Sequence, residues 1–285
     1  GFVGAVMSLV CANALKDEYA VIGVDLASEE SFWKIISLNE GVFPLVADDP
    51  KIDVFFEMSK RKKNFYATCD ERAYAYADII IVDINLDVKK YSSDSAQLMD
   101  FDVDMTGLQK AVSSLGRNCR DDVLIVVETT VPPGTCMKVV KPTIEAEFSK
   151  RGHSLMKYAL GHSYERVMPG PKYIDSIREY PRVYSGSTDR CAERVEDFLG
   201  TIIDLDKCSL TRLDSTNASE MAKVLENSYR AMNISFVVEW SRFAEEAEVD
   251  LYKIVGAIRE RESHVNLMYP GLGVGGYCLT KDPLL

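Results

Sequence analysis

The densest chemistry in the sequence lies near its end, where Cys278, Lys281 and Asp282 fall within five positions directly after Pro270-Gly271-Leu272-Gly273-Val274-Gly275-Gly276-Tyr277. A thiol, an ammonium and a carboxylate are the groups needed for a nucleophile, its electrostatic activation and a base. Four glycines in the six residues from Gly271 cannot form regular structure and bring backbone close to something else. The other six cysteines read as structural, as a lone buried cysteine usually is.

A second polar set is Glu220, Lys223, Asn227 and Arg230, spaced i, i+3, i+7 and i+10 in a segment apolar on most sides. At 100° per residue these share one narrow stripe of a helix. Such a stripe either faces a wet cleft or ligand, or is a solvated face with a Glu220–Lys223 pair. A third group is Glu128-Thr129-Thr130-Val131-Pro132-Pro133-Gly134-Thr135, after the run Val123 to Val127. It puts hydroxyls at the carboxyl end of a strand, where open α/β sheets bind ligands. It reads equally as a turn and helix start with Thr135 as N-cap. Finally, Gly1-Phe2-Val3-Gly4 opens straight into a helix, and the next strand ends in Asp25, 21 positions after Gly4. This resembles the tail of a dinucleotide fingerprint, with amides for a pyrophosphate and an acid for the adenosine ribose. Asp25 with no following Arg favours NAD over NADP.

The elements that must position these groups alternate. Ala20 to Val24, Ile79 to Val82 and Val123 to Val127 are short β-branched runs, with Tyr158 to Leu160 and Val183 to Tyr184 as later strands. Helical stretches at Glu29 to Leu38, Asp104 to Leu115 and Gly134 to Lys150 separate them. The pattern is βαβ and predicts a Rossmann-like, doubly wound parallel sheet over residues 1–212. After Asp214 the chain is nearly continuous helix former to Glu248, then Asp250 caps a further helix, so residues 213–285 are expected to form an all-helical central domain.

Composition narrows the function classes. With 33 Lys+Arg against 44 Asp+Glu the net charge is −11, and no basic stripe stands out, so neither nucleic acid nor a membrane surface is an expected partner. The longest apolar stretch, Ala5 to Leu15, is well short of the ~20 residues of a membrane span. Seven cysteines without C-x-x-C spacing suit reduced thiols in a cytoplasm, and three scattered histidines give no protein-built metal site. The abrupt start at Gly1 and the stop just past the glycine-rich loop suggest a fragment.

Taken in order, these motifs, together with Glu165-Arg166-Val167-Met168-Pro169-Gly170, resemble the UDP-glucose/GDP-mannose dehydrogenases, and the resemblance runs through essentially all 285 residues. It implies four-electron, NAD-dependent oxidation of a nucleotide sugar to its uronic acid. Cys278 is then similar to the family's nucleophile, Lys223 and Asp282 to the pair handling protons and water, and Thr130 and Glu165 to groups holding that water. Asn227 and Lys223 correspond to donors that steady oxyanion charge. Cofactor contacts implied are Gly1, Phe2, Val3, Gly4, Asp25, Asn85, Thr130 and Lys281. Sugar contacts implied are Glu165, Arg166, Lys223, Asn227 and the glycines Gly273, Gly275 and Gly276, where side chains would collide with the sugar. Two departures stand out: Val82-Asp83-Ile84-Asn85 replaces Val-x-Thr-Pro, with Asn85 as a substitute contact, and the family's UDP-gripping C-terminal domain is not among these residues. UDP-glucose is the expected substrate, with a UDP-N-acetylhexosamine such as UDP-N-acetylmannosamine as the alternative. A two-electron alcohol or 3-hydroxyacid dehydrogenase is a further alternative, which would leave Cys278 without a task. The resemblance also implies a homodimer through the helix spanning 216–246.

Overall fold

The computed structural model describes residues 1–93, 98–164, 166–167 and 170–285, with backbone only at Phe2. Glu165 of the expected site therefore lies outside the described residues. The chain divides into two compact units, one of residues 1–86, 105–129 and 133–220, the other of residues 87–104, 130–132 and 221–285.

In the first unit, helix α1 (Phe2–Ala12) is apolar on nearly every side, and Val6, Leu9 and Val10 are fully buried, as expected of a helix inside a core. Asn13 ends it and ties it to α3 (Pro50–Lys62): its amide nitrogen donates to Leu9 O and Phe55 O at 3.0 Å and to Ser59 Oγ at 2.9 Å. Strand β1 (Val21–Val24) follows, then α2 (Glu29–Glu40), which stops at Gly41 in the left-handed region, φ 86°. β1 pairs in parallel with β2 (Phe65–Thr68), a strand the hydropathy pattern did not reveal.

The larger sheet has the order β3 (Ile79–Val82), β6 (Leu124–Val127), β7 (Ala159–His162), β8 (Arg182–Gly186), β9 (Leu210–Arg212), with α4 (Thr106–Asn118), α5 (Lys141–Arg151) and α7 (Asp189–Ile202) between strands. β6 and β7 are buried at every position, which accounts for their unbroken apolar or small-residue runs. The βαβ pattern is followed at β3, β6 and β7, which are parallel, and at β8 with β9; β7 and β8 run antiparallel, pairing Gly161 with Gly186 and His162 with Ser185. The connection between them carries the six-residue α6 (Tyr173–Arg178).

Across the carboxyl end of β6, Glu128 pairs with Arg182 of β8, both almost fully buried, and Arg182 Nε donates to Ser163 Oγ at 3.1 Å. Burial pulls the guanidinium below its ordinary value, so the pair is held against a desolvation cost. Removing one partner strands the other charge. Arg182→Met is expected to lower the unfolding free energy by about 3–5 kcal/mol in urea denaturation; a loss under about 1 kcal/mol would show that Glu128 finds another partner or takes up a proton.

The second unit contains helix α8 (Thr216–Glu246) from Met221 onward, α9 (Leu251–Arg259) and α10 (Tyr277–Lys281). As expected, Asp250 caps α9, accepting from Tyr252 N at 3.0 Å and Lys253 N at 3.3 Å. The same unit includes an antiparallel hairpin, β4 (Asp87–Ser92) with β5 (Leu98–Asp104), which the sequence reading did not anticipate.

Candidate functional site

In the first unit the dinucleotide turn and its acid come together. The Gly1 nitrogen is 3.7 Å from Asp25 Oδ2 at the end of β1, and Leu26 N donates to Asp25 Oδ1 at 2.8 Å. Gly1, Phe2, Val3 and Gly4 thus form the start of α1, whose unpaired amides and dipole suit a pyrophosphate. Gly4 is closely approached: a Cβ there would stand 3.0 Å from Asp83 Oδ2, so the Asp83 side chain would have to give by a few tenths of an ångström. Asp83 belongs to the loop after β3, and that loop is clamped by a residue outside the expected set. Thr129 Oγ1 accepts from Ile84 N at 2.8 Å and donates to Val82 O at 3.2 Å, fastening the ends of β3 and β6 to each other. Asn85, the expected substitute contact, is exposed at the same loop. Arg166, also in this unit, lies 5.9 Å from the Tyr164 ring centroid. The residues present fit a bound dinucleotide: a glycine-opened helix start, an acid beside it, and close packing of Asp83 against position 4.

The second unit contains most of the expected reacting groups, and two of them meet. Asn227 Nδ2 donates to Asp282 Oδ2 at 2.5 Å, joining α8 to the segment after α10. Lys281 Nζ lies 3.4 Å from Asp282 Oδ1 and 5.1 Å from the Tyr277 ring centroid. Asp282 is 1% exposed and Lys281 7%. Lys223, one turn before Asn227, is 9% exposed. Thr130 belongs to this unit as well and is half-buried.

Cys278 is the second residue of the five-residue α10 and is the one exposed thiol of the seven. The contrast with its counterparts is chemical. Burial pushes the Cys11 thiol up to about 12 and Cys119 up to about 11, and burial together with Glu220 raises Cys136 well above its ordinary value, so all three stay protonated at neutral pH. For Cys191 burial raises the value, but bonds from the Ser187 and Thr188 hydroxyls outweigh it and leave the thiol below its ordinary range; at 5% exposed, no substrate reaches it.

The hairpin missed in sequence braces the cysteine loop. Tyr277 Oη donates to Asp87 Oδ1, and Lys90 Nζ donates to Thr280 O at 2.6 Å. The other end of the loop is held by Tyr252 Oη on Pro270 O at 3.0 Å and by Asn233, which accepts from Met268 N at 3.0 Å. The glycines between are selected by conformation. Gly273 and Gly276 have φ of 120° and 86°, while a Cβ on Gly271, Gly273, Gly275 or Gly276 would meet nothing within 4 Å. The crowding expected at Gly273, Gly275 and Gly276 is thus not supplied by this chain's own atoms.

The polar stripe of α8 resolves into unlike parts. Glu220 is fully buried and faces backbone: its Oε2 accepts from Gly134 N at 2.5 Å and its Oε1 from Cys136 N at 2.7 Å. It supplies the capping carboxylate for the helical segment beginning at Cys136, the task expected of Thr135. Arg230 is exposed, so the solvated reading holds only at that end of the stripe.

Residues 1–203 match the UDP-glucose/GDP-mannose dehydrogenase family, NAD binding domain, and residues 217–285 match that family's central domain. The chain belongs to this family. Among its relatives is a UDP-N-acetyl-D-mannosamine dehydrogenase of Methanocaldococcus jannaschii, 31% identical over 180 residues, which are 63% of this chain and 39% of the relative. A protein of the same description from Pyrococcus horikoshii is 25% identical over 287 residues, covering 100% of this chain and 62% of the relative. This member of the UDP-glucose/GDP-mannose dehydrogenase family therefore spans roughly two- to three-fifths of those relatives' length. The crystal structure of NDP-N-acetyl-D-galactosaminuronic acid dehydrogenase from Methanosarcina mazei Go1 superposes with a TM-score of 0.80 at 25% identity, covering 100% of this chain and 57% of that one. NAD is the cofactor of the matched N-terminal domain. Among the described residues no helix is long and apolar enough to cross a membrane, and no group of three or more His, Cys, Asp or Glu could hold a metal.

Proposed function

We propose that the full-length protein is an NAD-dependent nucleotide-sugar 6-dehydrogenase that oxidises a primary C6 alcohol to the uronic acid, with a UDP-N-acetylhexosamine, foremost UDP-N-acetylmannosamine, as substrate. The observation that carries this reading is an exposed thiol, Cys278, four residues before a buried carboxylate that is hydrogen-bonded to Asn227. The choice of sugar rests on the relatives, which are described as UDP-N-acetyl-D-mannosamine dehydrogenases, and it displaces UDP-glucose as first candidate.

When bound, NAD supplies the hydride acceptor for both oxidations. Gly1, Phe2, Val3, Gly4, Asp25 and Asn85 hold it, with Thr130 and Lys281 as further contacts. Lys223 and Asp282 remove the alcohol proton, and Lys223 and Asn227 steady the oxyanion charge that develops. The Cys278 thiolate adds to the aldehyde carbon to give a thiohemiacetal, which restores a hydride donor; its oxidation leaves a thioester on Sγ. Water, held by Thr130 and Glu165 and deprotonated through Asp282, cleaves the C–S bond, releasing the carboxylate and the thiol. Per sugar, one alcohol, one water and two NAD⁺ become one carboxylate, two NADH and three protons. Arg166, Gly273, Gly275 and Gly276 contact the sugar.

Two domains are part of the same proposal, residues 1–212 for NAD and residues 213–285 for chemistry and pairing. A homodimer through the helix spanning 216–246 is supported by Leu225, Met232, Phe236 and Phe243 on α8, which are 55–73% exposed and need a cover. A cytoplasmic location is supported by seven free thiols.

NADH yield tests the reading. The full-length protein with UDP-N-acetylmannosamine is expected to form two NADH per sugar, at a kcat/KM above that for UDP-glucose. One NADH per sugar would mean a two-electron enzyme, and a higher kcat/KM on UDP-glucose would reverse the assignment of the sugar.

A further inference from the structure

Glu220 has no part in the chemistry just described, yet it is fully buried and its two carboxylate oxygens each accept a backbone amide 84–86 residues away in sequence, Gly134 N at 2.5 Å and Cys136 N at 2.7 Å. A carboxylate without partners in that position would be very costly, so these bonds are not slack contacts. Bonds on both oxygens fix the side chain's rotation as well as its reach. The neighbouring residue anchors the same turn of α8 on another side: Ser219 Oγ is 2.8 Å from His162 Nδ1 and 2.7 Å from Ser185 Oγ, all three residues being fully buried. The turn of α8 just before Lys223 is therefore anchored on two sides.

Chain continuity gives that clamp a consequence. Thr130 stands four residues before Gly134, and Gly134 itself has φ 96°, a conformation that favours glycine and ends the Pro132-Pro133 turn. Lys223 and Asn227 stand three and seven residues after Glu220, at 300° and 700° around the helix, hence on its own face. We propose that Glu220 is a positioning residue for the oxidation, its carboxylate tying the segment that continues from Thr130 to the turn of α8 that continues into Lys223 and Asn227. The idea rests on the function proposed above. Misplacing an acid–base pair by an ångström lowers a rate by up to about 100-fold without weakening ground-state binding to the same degree.

The test uses the full-length enzyme with UDP-N-acetylmannosamine and UDP-glucose, comparing Glu220→Gln and Glu220→Ala with wild type. Glu220→Gln keeps the shape and one acceptor oxygen but turns an amide NH2 toward a donor. Both variants are expected to fold, to exchange the Gly134 and Cys136 amide hydrogens at least about tenfold faster, and to lose about 10- to 100-fold in kcat, alanine more than glutamine, with KM for the sugar within about threefold. A folded variant with faster amide exchange but wild-type kcat overturns the proposal, as does a raised KM at unchanged kcat. Unchanged exchange in Glu220→Ala removes the clamp itself. If the alanine variant does not fold, wild-type kcat in the glutamine variant is enough to reject the idea. A wild-type enzyme that reduces no NAD with any nucleotide sugar overturns the functional reading, and this proposal with it, whatever the amides do.

Discussion

Cys278→Ala in the full-length enzyme is expected to abolish uronate formation, by at least about 10³-fold, while the Kd for NAD changes by less than about threefold. The physical reason is that an aldehyde has no hydride to give until a nucleophile has added to its carbon. Four of the other thiols are closed to a substrate: Cys11, Cys119 and Cys136 are buried and held protonated, and Cys191 is 5% exposed. Cofactor affinity is expected to persist because the dinucleotide turn, Gly1 to Gly4 with Asp25, is built in the first compact unit and Cys278 belongs to the second. Chromatography of the sugar products and calorimetric titration with NAD decide the matter. Parallel loss of uronate and of NAD binding would mark Cys278 as structural and remove the covalent mechanism.

Lys223→Ala is expected to lower kcat by about 10²- to 10³-fold and to change KM for the sugar by less than about fivefold. Lys223 is 9% exposed and one helical turn before Asn227, which is bonded to Asp282; in the proposed mechanism its ammonium acts on charge that develops rather than on charge already present, which lowers kcat and not KM when it is lost. Lys223→Met, which keeps the aliphatic stem, separates lost charge from lost packing and should be nearly as slow. Steady-state kinetics at saturating NAD distinguishes the outcomes: an unchanged kcat takes Lys223 out of the mechanism, and a large rise in KM alone makes it a sugar ligand.

Much of this protein was legible from local pattern. The continuous apolar runs at Ile79 to Val82 and Val123 to Val127 became strands, the second buried at every position of β6 and the first only at Ile80 and Val82, and Asp250 capped its helix. The hairpin was missed although its signal was present, since Asp100-Phe101-Asp102-Val103-Asp104 alternates with period two. Asp104 was read instead as the start of a helix that begins at Thr106. With the hairpin went Asp87 and Lys90, which brace the cysteine loop from about 190 residues away.

What the amino-acid order determined by itself was which groups share a face or a turn: a thiol after a glycine loop, an acid at a strand end, four polar residues on one side of a helix. Hydropathy period and short-range spacing carry that information because both are set by backbone geometry over a few residues. What those faces meet was decided only in the folded chain. The Glu220 carboxylate went to two amides, Thr129 clamped the loop after β3, and β8 ran against β7. Each depends on packing partners 23 to 86 residues distant, and a buried polar atom takes whichever donor the fold delivers to it, a choice no local pattern encodes.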